Sequence, residues 1–94
     1  MKRFSPKQVV LIKALFDFSE DSICSVSRDR SSIQAFVGNY HFYFHVCDGC
    51  IYNAIYKYAD NLETGELLFR KYFDDFYSLF QSLLGFLLNH NCNI

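Results

Sequence analysis

Apolar and polar residues alternate with period two through the middle of the chain, and they cluster with a helical period at its two ends. At the start, Ser5 has the chemistry of an N-cap, Pro6 suits the first helical position, and Gln8 completes a capping box with Ser5. Phe4 and Val9 stand where a hydrophobic staple would form. Val9, Leu11, Ile12, Leu15, Phe16 and Phe18 share one broad side of the helical projection, with Lys13 and Asp17 opposite. Glu20-Asp21 is the expected end of this helix.

The alternating part divides into runs at Ile23–Arg28, Ile33–Val37, Tyr40–Cys47 and Cys50–Tyr58. The breaks are Asp29-Arg30, Gly38-Asn39 and Asp48-Gly49; the last two are strong hairpin signals, because these residues accept positive φ cheaply. Each turn implies a register. Around Asp48-Gly49, Val46 meets Ile51 and Phe42 meets Ile55. Around Gly38-Asn39, Val37 meets Tyr40, Ala35 meets Phe42 and Ile33 meets Phe44. A turn at Asp29-Arg30 sets Val26 against Ile33 and Cys24 against Ala35. All three registers put the same apolar set on one face, and that agreement predicts an antiparallel meander. Asn53 and Lys57 fall on this face too, and the pattern offers no reason for Asn53.

Glu66–Arg70 reads either as a fifth strand or as the first turn of a long helix; strand is the favoured reading, with a helix from about Asp74. In that helix Phe76, Tyr77, Phe80, Leu83, Leu84, Leu87 and Leu88 form one stripe, widened by Leu79 and Phe86. An arc wider than the ~100° of one-sided packing predicts two neighbours: the sheet, and either the first helix or a second subunit. The fold class expected is therefore α+β: a four- to five-stranded antiparallel meander flanked by an N-terminal and a C-terminal helix, in one domain spanning 1–94.

Composition agrees with a core-rich fold. Of 94 residues, 51% are hydrophobic and 19% aromatic, with 11 Phe, 7 Tyr and no Trp. The net charge is -1 and the basic residues are scattered, which argues against a nucleic-acid partner, since backbone binding wants a concentrated basic face. Met1-Lys2-Arg3 leads into Ser5-Pro6-Lys7-Gln8 instead of an apolar run, so no secretion signal is read. The apolar stretch from Phe76 to Leu88 is shorter than the ~20 residues of a membrane span and is broken by Ser78, Gln81 and Ser82. Four Cys without a signal point to reduced thiols in the cytoplasm.

The second sheet face carries the candidate chemistry. Alternation assigns Phe36, His41, Tyr43, His45, Tyr52, Tyr56 and Tyr58 to it, with Ser25, Ser27, Gln34, Cys47, Cys50 and Ala54 between them. Polar side chains are the norm on a solvated face, whereas Tyr supplies rigid contact area that tolerates water and is enriched at interfaces. The seven aromatic and imidazole rings are the expected partner-binding set, for another protein or in a homodimer seam. The ordinary alternative is that Tyr has strand propensity and simply pairs across strands.

His45, Cys47 and Cys50 form an H-x-C-x-x-C run that offers three zinc ligands, with His41 on the same side. A structural site needs a fourth, and Cys24 falls on the opposite face while His90 and Cys92 lie in the tail. Two thiols flanking an Asp-Gly hairpin is the plainer reading, and no metal or cofactor is expected. A Cys–His nucleophile is disfavoured, because no third group orients the imidazole. Asp74-Asp75, Glu63 and Glu66 read as turn and helix-start residues instead of an acid–base pair. Aromatic RNA platforms carry basic residues and a different strand order. The expectation is thus a non-enzymatic protein-binding module, an inhibitor or adaptor. Phage-encoded inhibitors of bacterial defence, anti-CRISPR proteins among them, share its scale but no residue motif. The alternatives are a zinc-stabilised domain contacting nucleic acid, and a small enzyme with a pocket hidden from sequence.

Overall fold

A computed structural model describes residues 2–17, 22–59 and 65–90. Its first helix, α1 (Pro6–Phe16), starts where the capping chemistry says. The Ser5 amide donates to Gln8 Oε1 at 2.8 Å, and the Gln8 amide donates to Ser5 Oγ at 3.1 Å. The helix ends at Asp17, earlier than expected; Phe18 and the Glu20-Asp21 stop lie outside the described residues. Ile12 and Phe16 are buried, with Val9 and Leu15 packed beside them. Leu11, expected on the apolar side, is exposed, because α1 meets the sheet along a narrower seam than its composition suggests.

Five antiparallel strands follow in sequence order: β1 (Ile23–Val26), β2 (Ser32–Val37), β3 (Tyr40–Cys47), β4 (Cys50–Tyr58) and β5 (Gly65–Phe73). The two tight turns adopt the backbone their residues favour, with positive φ at Gly38, Asp48 and Gly49. The registers are the expected ones: Val37 opposite Tyr40, Phe42 opposite Ile55, Val46 opposite Ile51, and Cys24 opposite Ala35.

Strand β1 stops at Val26 and not at Arg28, since Asp29 organises the next residues as a loop. Its carboxylate accepts from the Ser27 hydroxyl (2.8 Å), the Ser31 amide (3.0 Å) and the Ser31 hydroxyl (2.7 Å). Those bonds, the Ser31 hydroxyl's first, hold the carboxyl at a pKa of about 2. Arg30, at φ +59, then pins the N-terminal segment: its Nε donates to the Phe4 carbonyl, and its own carbonyl accepts from the Phe4 amide.

The segment from Gly65 is a strand, longer than the expected Glu66–Arg70 by one residue at its start and three at its end. Its ladder with β4 slips between Ile55 and Tyr56, leaving Leu68 as the extra residue of a β-bulge. The last helix, α2 (Phe76–Asn89), is capped by Asp75, whose side chain accepts from the Ser78 amide at 2.8 Å.

Both helices pack on the same face of the sheet. There Ile12 and Phe16 of α1 and Leu79, Leu83 and Leu87 of α2 join Ile33, Ala35, Val37, Phe42, Phe44, Val46, Ile51 and Ile55 in one buried cluster. The α2 stripe is centred on Leu79, Leu83 and Leu87, flanked by Phe76 and Phe86, while Tyr77 and Leu88 are exposed. Its second neighbour is α1, so the wide arc is accounted for within one chain. Asn53 is wholly buried in this layer; its Nδ2 donates to the Tyr43 carbonyl at 3.1 Å, and Oδ1 has no hydrogen-bond partner. Lys57 escapes to solvent with its ammonium 5.6 Å from the centre of the Tyr40 ring. Among the described residues no helix is long and apolar enough to cross a membrane.

Candidate functional site: the outer sheet face

With both helices on one side, the described residues leave the other face of the sheet uncovered. Strand pairing arranges its side chains in rows that run across the strands. The first row is Ile23, Phe36, His41, Tyr56 and Leu67, one residue from each strand. The second is Ser25, Gln34, Tyr43, Ala54 and Arg70. The third is Ser32, His45, Tyr52 and Tyr72. All seven residues assigned to this face by alternation lie on it.

The rings touch one another in two strips. In the first, His41 is the middle layer of a stack: Phe36 lies 4.3 Å away and within 2° of parallel, and Tyr56 lies on the other side at 5.8 Å and 26°. Tyr58 closes on the same imidazole at 6.2 Å. Tyr58 is itself held over Gly65, where an added Cβ would come within 2.7 Å of its ring. In the second strip His45 stacks on Tyr43 at 6.2 Å and 9°, Tyr43 meets Tyr52 edge-on at 6.2 Å, and Tyr52 meets Tyr72 at 5.0 Å. Such pairs stiffen the surface beyond what area burial alone gives.

Electrostatically the face is quiet. His41 Nε2 donates to Gln34 Oε1 at 2.9 Å, so its Nδ1 carries the lone pair, buried and unpartnered. Burial disfavours the imidazolium and lowers the His41 pKa below its ordinary 6.5. The Tyr52 phenol is raised, chiefly by desolvation and further by Tyr56 and Tyr72, while Arg70, hydrogen-bonded to it, opposes. Arg70 is the one formally charged side chain in the three rows.

The proposed zinc ligands do not assemble. Cys47 and Cys50 face each other across the turn with 3.9 Å between sulfurs, but His45 is a row away, stacked on Tyr43. His90 lies on the helix side against Phe86 and Tyr40, and Cys92 is outside the described residues. No three His, Cys, Asp or Glu side chains converge among the described residues. The Cys50 thiol is pushed up by desolvation, then by Cys47, Asp74 and Asp48, which makes it a poor nucleophile.

An open hollow of about 460 Å³ lies on the helix side, between the end of α1 and Ser22 and Cys24. The Cys24 thiol there is raised by burial, with Lys13 opposing. A second, of about 360 Å³, sits at the open end of the β4–β5 ladder beside Tyr58 and Glu66. Neither gathers a base beside a nucleophile.

Three members of the surface escape a sequence reading. Ile23 is 64% exposed, Leu67 45% and Tyr72 60%. Alternation from Ser25 would have found Ile23. Leu67 and Tyr72 were out of reach, because the bulge at Leu68 reverses the parity of β5 halfway along its length. No family model, curated protein or solved structure matches this chain.

Proposed function

We propose that this chain is a non-catalytic protein-binding module that works by covering a partner's surface with the outer face of its sheet. One observation carries the reading: a row of apolar and aromatic side chains, Ile23, Phe36, His41, Tyr56 and Leu67, crosses all five strands on the side without helices. A ring-rich, nearly uncharged surface suits a protein partner. Small-molecule sites are concave and need convergent polar groups, and nucleic-acid sites need more than the single cation Arg70. The rings are pre-ordered by mutual stacking, so binding costs little additional side-chain entropy. In a complex, Phe36, His41 and Tyr56 would form the buried centre and Tyr43, His45, Tyr52 and Tyr58 its surround.

The test replaces Tyr43, Tyr52 and Tyr56 together by Ser, with Tyr77→Ser on the exposed side of α2 as the control. Circular dichroism establishes that both variants are folded. Pull-down with immobilised protein should then recover the same partner with wild type and with the Tyr77 variant, and lose it with the triple variant. A folded triple variant that retains the partner refutes the proposal.

A further inference from the structure

The sheet ends in two unequal edges. Strand β1 is 4 residues long, whereas β5 is 9 residues long and has no strand on its outer side among the described residues. Leu67, Leu68 and Tyr72 are all exposed along it. A long edge of this kind presents unpaired amides and carbonyls as a template for another strand.

The direction of those groups follows from the ladder. The Tyr58 amide donates to the Asn39 carbonyl, so even-numbered residues of β4 bond to β3 and odd-numbered ones to β5. Phe69 and Lys71, opposite Ile55 and Asn53, therefore turn their backbone groups toward β4, and Arg70 and Tyr72 turn theirs outward. Past the bulge the parity reverses. Leu67, opposite Tyr56, and Gly65, opposite Tyr58, also turn outward. An antiparallel strand bonding to this edge must thus address Gly65, Leu67, Arg70 and Tyr72.

A second copy of β5 meets that requirement about a two-fold axis. Leu67 pairs with Arg70 of the second copy, and Gly65 with its Tyr72, each pair lying on the outer face of both sheets. Between them Glu66 falls opposite Lys71 of the second copy, twice, on the helix side. A shift of one residue sets outer side chains against inner ones. A shift of two places Glu66 against Phe69 or Phe73. Charge complementarity therefore selects one register. We infer that two copies of this chain associate through β5 in this register, joining their sheets into one of ten strands. The inference concerns an edge and stands apart from the outer-face proposal. The seam would bring the two outer faces side by side, with Leu67 and Tyr72 from each copy at the junction.

Analytical ultracentrifugation over a wide concentration range, with full-length chain, tests it. The wild type should show a concentration-dependent dimer. Lys71→Glu should raise its Kd about tenfold or more by placing Glu against Glu. Glu66→Lys should act similarly, and the double reversal Glu66→Lys/Lys71→Glu should return the Kd to near the wild-type value. Lys71→Glu is the cleaner single change, because Lys57 lies opposite Glu66 within the same copy. Arg70→Pro supplies a backbone arm: it deletes an outward amide and leaves the bonds to β4 intact. It should abolish the dimer while circular dichroism shows the fold retained. A wild type that stays monomeric throughout overturns the inference. So does a dimer indifferent to the charge reversals or to Arg70→Pro.

Discussion

The two faces of this sheet are written by alternate residues of the same strands, and they are stabilised differently. The helix-side face is aliphatic and phenylalanine-rich, and two helices seal it: Phe16 of α1 lies 4.9 Å from Phe42, and Phe86 of α2 meets the same ring at 5.7 Å. The outer face holds rings of similar size with no second layer among the described residues. Its order comes from lateral stacking within the sheet, as in Phe36–His41–Tyr56. Closing a core requires complementary layers, and stability follows from that closure. A single ordered layer contributes a pairwise term at most and leaves its area available to another molecule. The contrast in energetics separates the face that closes the fold from the face that does not.

That contrast is open to measurement. Phe42→Ala should cost about 3–5 kcal/mol in chemical denaturation, because the site is enclosed on all sides and collapses poorly. Phe36→Ala, an equal loss of side chain on the other face, should cost about 1 kcal/mol or less. Equal costs would mean that the outer face is part of the fold's core. Next comes Asn53, the polar side chain within the sealed layer. Asn53→Asp should destabilise by about 2 kcal/mol or more at neutral pH, since a carboxylate replaces an amide that donates to the Tyr43 carbonyl. Burial must raise the pKa of that carboxyl in the folded state. The deficit should therefore be smallest below its unfolded pKa of about 3.9 and grow as pH rises through the folded value.

A smaller effect separates the faces by pH. The His41 pKa is lowered by burial within its stack, so the unfolded chain binds the proton more readily. Stability linked to His41 is thus complete above its ordinary 6.5 and falls as pH drops from there through the folded value. His41→Phe should flatten the denaturation midpoint between about pH 7 and pH 5, where the wild type declines. An unchanged slope would show that the imidazole is more solvated than the stack implies.

Much of this architecture is legible in the sequence. Gly38-Asn39 and Asp48-Gly49 specify turns by local backbone preference, and a turn of known length specifies a register. Three independent registers agreeing on one apolar face then leave little freedom, which is why β3 and β4 were delimited to the residue. Ser5, Pro6 and Gln8 did the same for the start of α1. The candidate face was legible for the same reason: period-two alternation places Phe36, His41, Tyr43, His45, Tyr52, Tyr56 and Tyr58 together without knowledge of what covers them.

What local chemistry could not supply was every feature that depends on a distant partner. Whether the helices cover one face or both is a matter of docking, and no residue of the meander encodes it. Tyr77 and Leu88 fit the α2 stripe by period yet stay exposed, because the seam is defined by the sheet beneath Leu79, Leu83 and Leu87. The bulge at Leu68 is invisible in the alternation of β5 and appears only in its pairing with β4. Short-range preferences set turns, caps and registers, since those involve neighbours a few residues apart. Layering, seam position and the free edge depend on contacts between segments far apart in the chain, and those exist only once it has folded.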